Sequence, residues 1–169
     1  ITDGKAGAGT RQVAPQMSSH FRDLGSGEAV CVRDQYLWRI TADEADPAAA
    51  FERLTEAQSP EELLVVGNAL YFTAVQADQA ALGRQLWRYQ AGTAERLTSF
   101  TGHVLDLPWP SDWHRYRTSR IVHDQGYLYF VAASTANNHQ VWRCALDGSD
   151  QKAVTNLQGL GFAKSDPGG

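Results

Sequence analysis

The sequence predicts an all-β fold built from four-stranded antiparallel sheets, and three observations carry that prediction. One strand-pair signature recurs: Leu70-Tyr71-Phe72-Thr73-Ala74 precedes Leu86-Trp87-Arg88-Tyr89, and Leu128-Tyr129-Phe130-Val131-Ala132 precedes Val141-Trp142-Arg143-Cys144. A further Leu37-Trp38-Arg39 lies upstream, so Trp-Arg pairs begin at 38, 87 and 142, in steps of 49 and 55 residues. Near-regular return of one strand pair marks an array of a single supersecondary unit. Finally, the strand-like runs are short and separated by turn residues such as Gly67-Asn68, Gly92-Thr93 and Asp147-Gly148, the make-up of antiparallel meanders.

Composition bounds the rest. The 169 residues are 43% hydrophobic and 20% charged, which suits one domain with a real core. A net charge of -4 lacks the basic face that nucleic acid requires. The longest apolar run, near residues 63–66, is a strand's worth and far short of a bilayer span, so neither nucleic-acid binding nor membrane insertion is expected. Cys31 and Cys144 are the only cysteines. Two cysteines impose no disulfide framework, and each sits in an apolar strand context where a buried free thiol is common.

Taken in order, residues 1–16 open in the middle of a unit. Asp3-Gly4 followed by Thr10-Arg11-Gln12-Val13 matches Asp147-Gly148 followed by Lys152-Ala153-Val154. The chain begins at Ile1 and closes on Asp166-Pro167-Gly168-Gly169, so a processed product or a piece of a longer polypeptide is expected. Gly4, Gly7 and Gly9 do not make a phosphate loop, because no G-K-[ST] follows them. Residues 28–33 predict a strand, Asp34-Gln35 a turn and residues 36–40 the next strand. Two phases fit here: the Trp-Arg match makes residues 36–40 the Trp-Arg strand, whereas matching Val32-Arg33-Asp34-Gln35 to Val122-His123-Asp124-Gln125 makes it the Leu-Tyr-Phe strand. The first gives the more even period. Residues 43–60 allow a short helix after Asp46-Pro47, or an outer strand at Phe51-Glu52-Arg53-Leu54-Thr55; its match to Ala94-Glu95-Arg96-Leu97-Thr98 favours the strand.

The clearest unit runs from 62 to 100, with strands at 63–66, 70–75, 85–90 and 95–100. It is repeated at 118–122, 127–133, 140–146 and 153–157. We therefore expect a single repeat domain over 1–169, with approximate units 1–56, 61–101 and 115–158. A long loop, 102–120, overlaps the start of the last unit.

Meanders of this kind bury both faces only by stacking, as blades do in β-propellers. The stretch LYFVAASTANNHQVWRCALDGSDQKAV resembles the blades of TolB-like and YWTD-type propellers. TDGKAGAGTRQV, LYFTA and QLWRYQAGT are still more similar to bacterial repeats of the ELWxxDGTxxGT kind. The middle unit departs from that pattern, with Gln90-Ala91-Gly92-Thr93 where Asp-Gly-Thr stands, and the first Trp-Arg strand lacks the Asp-Gly turn. The resemblance implies about three propeller blades, a partial propeller or fragment. It implies a secreted or periplasmic setting, and a protein- or glycan-binding or scaffolding role without catalysis. A propeller gating substrate access to a hydrolase or peptidase, or a structural subunit of a larger assembly, is the alternative. Closed propellers hold four to eight blades, so other blades or other chains are expected to complete the ring.

Candidate sites follow from side-chain chemistry. Trp38, Trp87 and Trp142 at repeat-equivalent positions predict packing between sheets rather than ligand stacking. The loop gathers Trp109, Trp113, His114, Arg115, Tyr116 and Arg117, types suited to sugar stacking, cation–π contacts or anion binding, and frequent as interface hot spots. The same loop also fits a cover folded over the sheet with its arginines solvated. No nucleophile elbow occurs, and the neighbours Ser111, Asp112 and His114 do not form a triad by adjacency. Asp43, Glu44 and Asp46 lack calcium-loop spacing, and His103, His114, His123 and His139 share no metal spacing. No cofactor is expected.

Overall fold

The structure, a computed structural model, describes residues 20–25, 28–41, 51–78, 83–100, 121–133 and 139–156. They form twelve strands: β1 (Arg22–Gly25), β2 (Glu28–Arg33), β3 (Tyr36–Thr41), β4 (Phe51–Arg53), β5 (Ala57–Val66), β6 (Ala69–Gln76), β7 (Arg84–Gln90), β8 (Thr93–Arg96), β9 (Val122–Asp124), β10 (Tyr127–Ala133), β11 (His139–Ala145) and β12 (Lys152–Ala153). They make three four-stranded antiparallel sheets, β1–β4, β5–β8 and β9–β12, each a meander in chain order. No α-helix occurs among the described residues. The fold is all-β, with its sheets arranged as propeller-type blades.

Tight hairpins set the meanders. Asp34 and Gln35, Ala91 and Gly92, and Gln125 and Gly126 all have positive φ. Two consecutive left-handed residues make the turn whose twist matches that of the flanking strands. The pairing registers then fix the repeat. Trp38 lies opposite Cys31, Trp87 opposite Phe72 and Trp142 opposite Phe130, always third strand against second. The Trp-Arg phase is therefore the one the first sheet adopts. The indole N–H of Trp38 donates to the Arg33 carbonyl (2.9 Å) and that of Trp87 to the Ala74 carbonyl (3.3 Å). Each acceptor stands two residues beyond the Trp's cross-strand partner. Trp142 instead sets its ring edge-on to Phe100, with centroids 4.8 Å apart.

The second sheet is covered on both sides. One face sends Leu70, Phe72, Trp87 and Tyr89 into a core with Leu24, Val30 and Leu37 of the first sheet. The other sends Ala69, Tyr71 and Leu86 into a core with Leu128, Phe130 and Cys144 of the third. This is why residues 69–74 are buried without interruption, although a strand alternates its side chains between two faces.

Several elements depart from the sequence expectation. Residues 51–53 are strand, so the outer-strand alternative holds there, while residues 42–50 lie outside the described residues. β5 begins at Ala57 rather than at residue 63. It passes Ser59-Pro60 through register shifts, with Ser59 and Glu62 at positive φ, the local geometry by which bulges absorb an extra residue. β8 stops at Arg96, although the Leu97 N–H still donates to the Leu86 carbonyl (2.8 Å). β12 is two residues long, and β9 starts at Val122. β1 had no counterpart in the sequence reading.

Beyond the ladder, a polar clasp recurs that composition alone does not reveal. Thr98 accepts from the Leu86 N–H and donates to the Gln85 side-chain oxygen, both at 2.9 Å. Thr155 accepts from the Val141 N–H and donates to Gln140 with the same two distances. Each Gln–Thr pair ties the start of a third strand to the second residue past the end of the fourth. In the first sheet Tyr36 takes the Gln position, and Thr55 instead accepts from the Ala57 N–H (2.9 Å).

Cys31 and Cys144 are both free and fully buried, in the first and third sheets. Burial pushes both thiols up to about 11. A thiol reacts as its thiolate, so the folded chain should leave both unlabelled by a disulfide reagent at pH 8. Two thiols per chain should appear on unfolding in urea without reductant; fewer than two would mean they pair.

Candidate functional site

The loop residues Trp109, Trp113, His114, Arg115, Tyr116 and Arg117 lie outside the described residues. Two seams between adjacent sheets, and one sheet face without a described seam, provide the site geometry that can be stated. Both seams are built on the Arg of the Trp-Arg pair. Because neighbouring strand residues point to opposite faces, each Trp packs toward one side of its sheet and each Arg lies on the other.

On the third strands, Arg39, Arg88 and Arg143 occupy equivalent positions. Each is held by an acid of its own sheet: Arg39 by Glu52, Arg88 by Glu95 (2.7 Å from Nε) and Arg143 by Asp150 (2.9 Å). In the first two sheets the acid is directly opposite in the ladder. In the third Lys152 occupies that place, and Asp150 in the preceding turn supplies the carboxylate. These pairs are partly exposed, so they orient the guanidinium more than they stabilise the fold.

The seam between the second and third sheets is the more fully bonded. Tyr71 Oη (3.1 Å) and Arg88 Nη1 (3.2 Å) both donate to the Leu146 carbonyl, which opens the Leu146-Asp147-Gly148-Ser149 turn. The turn is fixed locally by Asp147, whose carboxylate accepts from the Ser149 hydroxyl (2.6 Å) and amide (2.9 Å). Those bonds hold Asp147 below the ordinary carboxylate range. Gln151 closes the seam by donating to the Leu97 carbonyl (2.7 Å). Gly148 lies so close to Leu97 that an added Cβ would sit 3.1 Å from the Leu97 side chain.

Between the first and second sheets the polar link is different. Tyr89 Oη donates to Glu28 (2.8 Å), and Arg39 stands 4.0 Å from the same carboxylate. Arg22 also donates to the Leu63 carbonyl (3.0 Å). Burial and the adjacent Glu28 carboxylate push the Tyr89 hydroxyl up to about 12. An unfolded Tyr ionises near 10, so the folded state binds this proton more tightly. The resulting stability is intact below about pH 10 and is lost as pH rises towards 12. Alkaline urea titrations should show that loss in the wild type and less of it in Tyr89→Phe.

The third sheet also carries a face with no described partner sheet. Tyr127, Tyr129, Val131, Val141 and Arg143 are all half-buried there, and the Arg143 guanidinium lies 4.1 Å from the Tyr127 ring centroid. Tyr129 lies opposite Arg143 as Tyr71 lies opposite Arg88, so this face repeats the donor pair that grips Leu146. Sequence reasoning singled out the Trp of each pair and passed over the Arg; an acid 7 to 13 residues downstream of each Arg was the available signal. Among the described residues, no three His, Cys, Asp or Glu side chains converge as a metal centre would.

No protein-family profile matches the chain, and no curated protein matches it. Among solved structures, a TolB-type protein of Agrobacterium tumefaciens is similar at 18% identity over 86% of this chain, with a TM-score of 0.46. The chain spans 52% of that structure's length.

Proposed function

We propose that this chain is a propeller segment that binds a protein or glycan partner and acts as a scaffold, without catalysis of its own. The observation that supports the reading is the pair of seams. They lock three blades into a stack whose rim can present long connections, and rigid scaffolds of this kind commonly carry binding in such connections. The connection from the second to the third sheet is the one that holds Trp109, Trp113, His114, Arg115, Tyr116 and Arg117. An aromatic-basic set of this kind suits stacking on sugar rings and pairing with anionic groups. A secreted or periplasmic setting belongs to the same proposal and rests on the repeat resemblance.

The test is a glycan array probed with labelled wild-type chain and with the W109A/W113A/R115A variant. A signal in the wild type that falls at least tenfold in the variant supports the loop as the binding element. An equal signal from both removes the loop from the reading, and no signal from either removes glycans as its ligands.

A further inference from the structure

We propose that Asp147-Gly148 is an isoaspartate-forming site kept silent by the seam between the second and third sheets, and that conversion there, once the seam opens, holds it open. The inference rests on the geometry of that seam and is independent of the proposed binding role.

The chemistry is that of an Asp-Gly bond left free to move. The Gly148 amide nitrogen attacks the carboxyl carbon of Asp147. A nitrogen–carbon bond forms, and the carboxyl hydroxyl leaves as water with the amide proton, giving a cyclic imide. Water then opens the imide. Opening at the Asp147 main-chain carbonyl routes the backbone through the side chain, adds one methylene to it and places the free carboxylate on the Asp147 Cα. Glycine is the follower that hinders the attack least, because it has no Cβ. Asp147-Gly148 is the only Asp-Gly bond among the described residues, and Asp147 is exposed.

Three restraints oppose the reaction in the folded chain. Asp147 Oδ1 accepts from the Ser149 hydroxyl (2.6 Å) and amide (2.9 Å), which ties down the group to be attacked. The Gly148 N–H donates to the Ala145 carbonyl (2.9 Å), which engages the attacking nitrogen. The turn is also fastened to the second sheet at both ends. Tyr71 and Arg88 hold the Leu146 carbonyl. Gly148 packs against Leu97, and Gln151 donates to the Gly148 and Leu97 carbonyls, each at 2.7 Å. The hairpin glycines Gly92 and Gly126 have open space where a Cβ would stand and follow Ala91 and Gln125, neither of them an acid. The reactive pair therefore sits at a turn that the neighbouring sheet clamps.

The clamp makes the conversion one-way. A local opening of the seam frees the turn to cyclise. The converted turn is longer by one methylene, while the anchors at Leu146 and Gly148 are set for the shorter backbone, so it cannot satisfy both when the sheets close again.

The test is peptide mapping of the 169-residue chain after incubation at 37 °C and pH 7, with electron-transfer fragmentation to separate isoaspartate from aspartate at position 147. Conversion should run at least tenfold faster in guanidinium chloride, where the chain is unfolded, than in buffer. Tyr71→Phe and Arg88→Leu each remove one donor from the Leu146 carbonyl. They lie 75 and 58 residues from Leu146 in the chain, so the intrinsic reactivity of the Asp-Gly bond is untouched. Both should raise the rate in buffer at least threefold and leave the rate in guanidinium unchanged. Circular dichroism identifies a variant that fails to fold, and the milder Tyr71→Phe then carries the comparison. Converted wild-type chain, isolated by ion exchange, should exchange its β7 amides at least threefold faster than unconverted chain. Equal conversion in buffer and guanidinium overturns the proposal, as does no isoaspartate at 147 in either. So does a folded Tyr71→Phe that converts no faster than wild type, and so does converted chain with unchanged β7 exchange. None of these readouts involves a glycan, so this proposal and the proposed function fail separately.

Discussion

Phe72→Ala is expected to lower the unfolding free energy by about 3–5 kcal/mol, the usual cost of emptying a buried Phe site. Phe72 is fully buried on β6, and its ring stacks on Trp87 at 6.4 Å between centroids. The cavity would open between the first and second sheets, where Val30, Leu37 and Leu70 are pinned by their own strands and cannot collapse far into it. Urea unfolding followed by Trp fluorescence checks this, because Trp87 reports the same core. Phe72→Leu should recover a large part of the loss; a Phe72→Ala change below about 1 kcal/mol would mean that this core is not close-packed.

Gly148→Ala should come next, and its comparison with Gly126→Ala isolates the seam. Both glycines have φ near +80°, with values of +83 and +81, so both variants carry the left-handed strain of about 1–2 kcal/mol. Only Gly148 faces a neighbour. Its added Cβ would also lie 3.2 Å from the Leu97 carbonyl oxygen, and Leu97 is held there by its bond to Leu86. Displacing such a contact costs about 1–3 kcal/mol. Gly148→Ala should therefore exceed Gly126→Ala by that margin in chemical denaturation. Equal losses would show that the turn can shift away from Leu97 without cost.

The parts of the fold visible in the sequence are those where local chemistry and repetition agree. Trp87 and Trp142 sit in apolar strands beside turns with glycine, and the inner strands of their sheets, β6, β7, β10 and β11, were legible, whereas the bounds of the outer strands were not. Trp38 was legible only through the repeat, because Val32-Arg33-Asp34-Gln35 mimics a first hairpin; the pairing of Cys31 with Trp38 resolves the phase. The short outer strand at Phe51 likewise emerged from its likeness to Ala94-Glu95-Arg96-Leu97-Thr98, against the helix-favouring composition before it. β1 stayed hidden because Arg22-Asp23-Leu24-Gly25 has one buried apolar side chain and is strand only by pairing with β2. The start of β5 stayed hidden because Ser59-Pro60 looks like a turn, and only bulges carry the ladder through it.

The site was legible in composition and not in geometry. An aromatic-basic loop announces itself by residue type, whereas a seam depends on which face of a strand meets which neighbour. Arg88 and Tyr71 come from adjacent strands, and their shared target, the Leu146 carbonyl, lies 58 and 75 residues away. No local pattern encodes that meeting. The Gln–Thr clasp escaped for a similar reason: Gln85 and Thr98 are 13 residues apart and look like ordinary strand-end polars until the third and fourth strands are aligned.

The two-sided burial of the middle sheet also bears on how the chain acquires its shape. Every described sheet is a meander closed by nearby residues, and each inter-sheet core joins sheets that are consecutive in the chain. Sequence-local wiring of this kind keeps loop-closure entropy low and favours rapid formation. It also lets structure spread from one unit to the next by nearest-neighbour coupling. The middle sheet gains from two neighbours, and β6 and β7 are its inner strands. Their amides should exchange with solvent most slowly of all, and the chain should lose structure from its ends inward.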